Sequence, residues 1–550
     1  MTSSGEATAD LLKAYRKLRF LVVDDFENFR LSMRQMLRSF GVHNIDVASN
    51  GNEAVYKCTY ERFDVILCDY NLGDGKNGQQ ILEEIRHKKL LKHTSIFIMI
   101  TAETSRDMVM GAREYEPDTY LTKPLTRASL QKRLDALIVQ RDALYDINHE
   151  IDLENLPKAI SLCEQKINSL PRYRTWILKT LGELYRETGD YSHAHKIYRD
   201  VLSQRDLPWA RLGESKVFIA EQAYDEAIAS LEELIEKSPD LVEAYDLLAK
   251  ALKLKGRGKK AQDVLGEAVR LSPRGLLRQQ QYAEVATSNQ DLETAAKAWR
   301  NTVKLADHSV HESSEQYLNL GRCLCDLSEG DTSSGGKQLA SEAINTLSQM
   351  ERKFKDDAKA KVMGGLVESR VHAGQGRTAD SRKLLERLKS DIDLESVDAN
   401  TGLELAKTLY AVGDEGEAQS VLGKLAERFE DNQDVVDQVE ALMDEPVGFQ
   451  KKLRARSLNR EAIKAFEEGN LDEAAKYFSE ALEMVPRHPA LNLNLVQVLL
   501  KQGKPDTATL KQCKSRLDQI AHLPPQHRQY KRYAHLLGKV EKMLQGDVKA

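Results

Sequence analysis

The sequence predicts a two-part chain, a doubly wound α/β domain followed by an all-α array of helical repeats. Three observations carry this. Five short apolar runs alternate with helix-period segments between residues 16 and 140. Most of these runs end in a residue able to do chemistry. Beyond residue 140 the runs stop, and Ala, Leu, Glu, Lys and Arg take over with helical periodicity and internal repetition. A chain of 550 residues is too long for one core, so several domains or an array are required.

Residues 1–10 are polar and small, and residues 1–15 read as a flexible tail. The first strand is Phe20-Leu21-Val22-Val23, running into Asp24-Asp25. Phe29, Met33, Met36, Leu37 and Phe40 then recur at helical spacing until Gly41. Ile45 to Ala48 is a second strand and Gly51 to Cys58 a second helix. Val65-Ile66-Leu67-Cys68 is too short for a helix and apolar throughout, as strands covered on both faces are, and it ends at Asp69. Ile81, Leu82 and Ile85 mark a third helix, Ile96 to Ile100 a fourth strand ending at Thr101, and residues 105–115 a further helix. Tyr120-Leu121-Thr122 is a fifth strand before Lys123-Pro124, and a last helix begins near Arg127.

Alternation of this kind implies a parallel sheet covered on both faces, and right-handed crossovers put every strand's carboxyl end on one edge. Asp24, Asp25, Asp69, Thr101 and Lys123 therefore converge there, where open α/β sheets bind ligands. Clustered carboxylates repel, and a divalent cation relieves them; oxygen ligands with room for water suit Mg²⁺. A carboxylate beside Mg²⁺ can accept a phosphoryl group, with the Lys123 ammonium and Thr101 hydroxyl neutralising its oxygens.

These motifs resemble the receiver domain of two-component response regulators over about Leu18 to Ile138, and the chemotaxis receivers in particular. Phe20 to Phe26 is similar to the first strand and acidic pair, and Cys68-Asp69-Tyr70-Asn71 to the acceptor strand. Thr101-Ala102-Glu103 resembles the switch threonine motif, and Tyr120-Leu121-Thr122-Lys123-Pro124 the switch aromatic and the lysine, which in this family precedes a cis peptide. The resemblance implies strand order 2-1-3-4-5. It implies that Asp69 takes phosphate from a histidine kinase or phosphotransfer protein. Asp25, Asp69 and the Asn71 backbone carbonyl would hold Mg²⁺, with Asp24 assisting through water. Thr101 and Lys123 would bind the phosphoryl group, Tyr120 would swing inward, and Asn71 and Glu103 would tune phosphoryl lifetime. It also admits a homodimer through the receiver.

One stretch departs from the pattern. Receivers usually carry proline four residues after the acceptor and glycine four further on. Here Leu72 is followed by Gly73, and Gly73-Asp74-Gly75-Lys76-Asn77-Gly78 is one residue longer, which predicts a more flexible loop. The same residues match G-x-G-x-x-G, but a dinucleotide fingerprint belongs on the first strand of such a unit, not the third.

The repeats are clearest at Tyr245, Leu248, Ala249, Leu252, Ala261, Leu265, Ala268 and Pro273. Their period is near the ~34 residues of a helix-turn-helix unit, and they resemble tetratricopeptide (TPR) repeats. Small residues such as Gly213, Ala249 and Ala261 let helices approach, and copies must stack to bury their faces. The expected domains are a receiver at 16–140, repeats at 141–442, a hinge at 443–457 and further repeats at 458–550. No Gly/Ser/Pro-rich linker separates receiver from repeats, so the last receiver helix should run into the array. Glu243, Asp246, Lys250 and Lys253 are candidates to face a partner groove.

A net charge of −5 gives no electrostatic reason for nucleic acid binding, and the basic stretch Lys451 to Arg456 reads as a solvated linker. No run nears the ~18 apolar residues of a membrane span, and the polar first residues argue against secretion. Six cysteines make no disulfide framework; Cys323 and Cys325 read as core thiols, and the reading is cytoplasmic. The expected protein is therefore not an enzyme but a phosphorelay response regulator whose receiver controls protein binding by a TPR solenoid, without DNA-binding output. Two other readings fit the same features: a phosphate sink, and a phosphate-gated anti-factor acting on an enzyme or transcription apparatus.

Overall fold

A computed structural model describes residues 11–102, 117–331, 333–394, 396–443, 450–486, 488–503, 505–521, 523 and 529–547. The expected helix at 105–115 and Glu103 lie outside the described residues. The chain divides into two units, 1–316 and 317–550.

In the first unit, residues 11–17 are helical, which corrects the expected tail over 11–15: Tyr15 is buried in the core and its hydroxyl donates to Asp135 (2.7 Å). There follow β1 (Arg19–Val23), α1 (Glu27–Ser39), β2 (Asn44–Ala48), α2 (Gly51–Tyr60), β3 (Val65–Asp69), α3 (Gly78–His87), β4 (Ile96–Thr101) and β5 (Thr119–Thr122). The five strands form one parallel sheet of order β2-β1-β3-β4-β5. Strand β3 is central and all five of its residues are buried. Its side chains alternate between two cores. Val65 and Leu67 pack with Met33, Leu37, Leu130, Leu134 and Ile138, while Ile66 and Cys68 pack with Ala54, Val55, Ile81 and Ile85. Every apolar residue of β3 therefore has a buried destination, which is why the run lacks polar alternation.

Helix α4 (Arg127–Asp152) is 26 residues long and continuous. Thr126 caps it, its hydroxyl accepting from the Ser129 N–H. Leu130, Leu134 and Ile138 belong to the receiver core, and Leu144 and Ile147 to the first repeat core, so the receiver's last helix does run into the array. Between these two sets Arg141 donates to the Thr94 carbonyl (2.6 Å) and to Asp64 (2.7 Å). At the helix's end Asp152 accepts from the backbone N–H groups of His93 (2.7 Å) and Thr94 (3.1 Å). Both contacts lie just before β3 and β4, at the sheet edge away from Asp69.

Paired helices follow: α5 (Leu156–Ser169), α6 (Arg174–Glu187), α7 (Tyr191–Gln204), α8 (Pro208–Ala220), α9 (Tyr224–Lys237), α10 (Val242–Leu254), α11 (Gly258–Leu271), α12 (Leu276–Ser288), α13 (Leu292–Ala306) and α14 (Ser314–Ser328), within which the division between units falls. Gly213 shows why small residues are needed. A Cβ there would meet the Tyr198 ring at 2.3 Å, and one at Gly182 would meet it at 2.6 Å, so one buried tyrosine is wedged between α6 and α8.

The second unit continues with α15 (Ser334–Lys353), α16 (Ala358–Gly374), α17 (Thr378–Lys389), α18 (Ala399–Val412), α19 (Glu415–Arg428), α20 (Gln433–Leu442), α21 (Gln450–Glu467), α22 (Leu471–Met484), α23 (Pro489–Leu499), α24 (Thr507–Asp518) and α25 (Tyr530–Asp547). The first half of this unit holds a buried ion network. Glu404, 2% exposed, binds Arg370 (2.7 Å) and Arg322 (3.0 Å), and Arg370 also binds Asp326 (2.5 Å). Cys323 and Cys325 are buried thiols, as expected.

The basic stretch at Lys451 to Arg456 corrects a reading. It lies within α21 and is not a linker, because Lys, Leu, Arg and Ala are all good helix formers. Of the expected hinge at 443–457, residues 450–457 are helical, Met443 is buried, and 444–449 lie outside the described residues.

Candidate functional site

The carboxyl edge of the sheet gathers the expected residues. Asp24 follows β1 and is fully buried. Two contacts fix it: the Phe26 N–H donates to Oδ1 (2.8 Å), and Arg30 donates to its backbone carbonyl (2.6 Å). Asp69 closes β3 and is 5% exposed. Lys123 follows β5 and bridges both carboxylates, its Nζ lying 2.9 Å from Asp24 Oδ2 and 3.0 Å from Asp69 Oδ2. Its peptide bond to Pro124 is cis, and its backbone N–H donates to the Thr101 carbonyl (2.8 Å), which joins the ends of β4 and β5. The ammonium also stands 4.2 Å from the centre of the Phe29 ring.

Asp24, Asp25 and Asp69 offer oxygens within 4.8 Å of one another. Burial pushes the Asp69 carboxyl up to about 6; the neighbouring Asp24 adds to this, and the hydrogen bond and charge of Lys123 oppose it. Burial would lower the Lys123 ammonium, but its hydrogen bonds to Asp24 and Asp69 outweigh that and raise it. Asp25 Oδ1 is buried without a hydrogen-bond partner. An all-oxygen set, crowded with negative charge and containing one orphaned oxygen, is what a hard divalent cation would satisfy.

The loop after Asp69 is pinned at several points. Gly73 and Gly75 take positive φ (+73° and +99°), which L side chains rarely adopt. The Gly78 N–H donates to the Tyr70 carbonyl (2.8 Å), and Asn77 with Gln80 forms a capping box at the start of α3. Lys76 pairs with Glu84 (2.5 Å). A Cβ at Gly78 would meet the Asp69 carbonyl at 2.3 Å and Met99 Sδ at 2.9 Å. The lengthened loop thus still delivers a glycine against the acceptor's backbone.

Thr101 ends β4 opposite Thr122 and is half-buried. Tyr120 is partly buried against the core that contains Met99. Asn71 is exposed, its side chain accepting from the Gly73 N–H at 3.4 Å. Sequence reasoning missed Phe29, Arg30 and Gly78 as neighbours of the site. Only Gly78 carried a signal, the one-residue shift of a glycine position.

The groove candidates are largely engaged with neighbouring helices. Glu243 pairs with Lys216 of α8 (2.8 Å), Asp246 takes two bonds from Arg278 of α12 (2.8 and 2.7 Å), and Lys253 lies 3.9 Å from Glu284 of α12. Lys250 is exposed. These residues lie on the first helices of successive pairs.

The model of the response regulator receiver domain matches residues 20–135, and two tetratricopeptide repeat models match 179–242 and 465–540. The chain belongs to the response regulator receiver family, with TPR repeats following the receiver. Chemotaxis protein CheY-3 of Vibrio cholerae serotype O1 is 33% identical over 122 residues, covering 22% of this chain and 92% of the relative. Chemotaxis protein CheY of Pseudomonas aeruginosa is 30% identical over 120 residues, covering 22% and 95%. A crystal structure of Vibrio cholerae CheY4 is 27% identical with a TM-score of 0.20, covering 22% of this chain and 97% of that one. Among the described residues no helix is long and apolar enough to cross a membrane.

Proposed function

We propose that Asp69 accepts a phosphoryl group from a histidine kinase or phosphotransfer protein, and that the phosphorylated state controls protein binding by the TPR repeats. The observation that carries this is the trio Asp24, Asp25 and Asp69, the first and last of them buried, with Lys123 bridging that buried pair. An Asp69 oxygen attacks phosphorus as the donor's bond to phosphorus breaks, giving an acyl phosphate and the free donor nitrogen. Lys123 already touches the acceptor oxygen, so it can follow the charge onto the phosphoryl group without a large movement. The Thr101 hydroxyl, at the end of the adjacent strand, would receive a second phosphoryl oxygen. Tyr120 would swing inward, and Asn71 and Glu103 would set how long the acyl phosphate survives.

Asp25, Asp69 and the Asn71 backbone carbonyl would hold Mg²⁺, with Asp24 assisting through water. The ion would supply positive charge to the transferring phosphoryl oxygens. The orphaned Asp25 oxygen supports this assignment. In the repeats, Lys250 is exposed, and Glu243, Asp246 and Lys253 would contact a partner only by exchanging their helix-to-helix pairs.

The test is a pull-down with the full chain and its Asp69→Asn variant, each with and without acetyl phosphate and Mg²⁺, alongside intact-mass measurement. The reading requires a phosphoryl adduct on the wild type only, and a partner set that changes with it. No adduct would show a degenerate receiver. An adduct with unchanged partners would remove the gating, and rapid loss of the adduct with no partner at all would favour a phosphate sink.

A further inference from the structure

The receiver touches the repeats at a second place, far in sequence from α4. Helix α3 packs against residues 307–311, the connection between α13 and α14. Gln80 donates through Nε2 to the Asp307 backbone carbonyl (2.8 Å), across 227 residues of chain. The Ser309 hydroxyl donates to Glu83 Oε2 (3.0 Å). The His311 Nε2 lies 3.4 Å from Glu83 Oε1, and the His87 and His311 rings meet edge to face at 5.0 Å. Glu83 is 7% exposed, so this is a buried carboxylate spent on an intramolecular contact. A buried carboxylate is costly unless paired, and here Oε2 is satisfied from the repeats by Ser309 while Oε1 has no hydrogen bond and faces the His311 ring.

The other side of α3 is held by the acceptor. Its first residue, Gly78, donates to the Tyr70 carbonyl and leaves no room for a Cβ against the Asp69 carbonyl. Beyond its C-terminal end, Lys89 pairs with Glu154 of the α4–α5 connection (2.8 Å). Any shift of the Asp69–Asn71 backbone would therefore be passed to α3 directly. The close-packed contact at Gly78 cannot absorb it.

We propose that the α3 face of the receiver is the surface that grips the solenoid, and that phosphorylation at Asp69 releases the Gln80–Glu83 contact with residues 307–311. This rests on the phospho-acceptor reading above and adds its route. The partner of the α3 face is the turn between two repeats of the same chain. Its release would free that turn and the helices on either side of it.

Hydrogen exchange of the full chain, read by mass spectrometry, tests this. Beryllofluoride with Mg²⁺ serves as the phosphoryl mimic. Ser309 N–H donates to the Ala306 carbonyl and His311 N–H to Ser309 Oγ, so amides in 305–313 report on the turn. The mimic should speed their exchange roughly tenfold together with those of α3, and leave Asp69→Asn unchanged. Ser309→Ala and the isosteric Glu83→Gln should each speed exchange in 305–313 without the mimic. If residues 69–78 respond to the mimic while 305–313 do not, the proposed route is wrong although phosphorylation stands. If the mimic changes neither segment, the acceptor reading fails and the route with it. If both variants leave 305–313 unchanged, the contact is not what holds the turn, and the proposal is overturned whatever the mimic does.

Discussion

Replacing Glu404 with Gln isolates one buried charge in the second unit. Burial alone would raise this carboxyl, yet Arg370, Lys407 and Arg322 hold it at about 2, against an ordinary value of 4.5. At 1.36 kcal/mol per tenfold, that difference is worth about 3 kcal/mol of folding free energy at neutral pH. Breaking a buried pair from one side costs on the order of 3–5 kcal/mol, because the partner charge stays buried. Because the folded value is depressed, the stabilisation is present above pH 4.5 and is lost as pH falls toward 2. Native-state hydrogen exchange of α16 and α18 is the assay, since a chain of several cooperative parts has no single melting free energy. Glu404→Gln should lower protection at pH 7 by about 3 kcal/mol, and wild type and variant should converge near pH 2. A loss under about 1 kcal/mol at pH 7, or a difference independent of pH, would refute the assignment of this network as a stabilising one.

Asp69 titrates in the opposite sense. Its folded value of about 6 exceeds the ordinary 3.8, so in metal-free protein it opposes folding fully above pH 6 and not at all below 3.8, by about 3 kcal/mol. Asp69→Asn should therefore increase exchange protection of β3 and β4 at pH 7.5 without divalent metal and leave it unchanged at pH 4. Lys123→Ala removes the cation shared by Asp24 and Asp69, and phosphotransfer from acetyl phosphate, followed by intact mass, should slow at least tenfold while Mg²⁺ binding persists. Gly78→Ala places a methyl 2.3 Å from the Asp69 carbonyl. It should cost about 1–3 kcal/mol of receiver stability and slow phosphorylation, seen in exchange of β3 and in the same mass assay. Gly213→Ala should weaken the packing of α6 on α8 by a similar amount, and Tyr198→Phe should not restore it, because the clash is with the ring; native-state hydrogen exchange of α6 and α8 compares the two.

The strands were legible because each is an apolar run that a sheet buried on both faces demands, and β1 to β5 start within one residue of where the sequence put them. Asp24, Asp25, Asp69 and Lys123 were legible because crossover handedness gathers strand ends without any knowledge of side-chain packing. The contacts that decide finer matters left no such trace. Glu83 and Ser309 are 226 residues apart, and nothing local in either marks the other. Asp246, a candidate for the partner groove, instead pairs with Arg278, 32 residues further on, which only stacking of the repeats brings beside it. The stretch at Lys451 to Arg456 misled because charge was weighed above helix propensity.

Helix α4 has a consequence for how the chain is born. Its first half completes the receiver's core, while Arg141 and Asp152, in its second half, satisfy groups at the opposite edge of the same sheet. A ribosome delivers residue 152 last among these, so the receiver cannot finish its own edge until the opening of the first repeat has emerged. A fragment ending at 140 would hold every residue proposed to take part in phosphotransfer and still lack the two side chains that close the sheet beneath it.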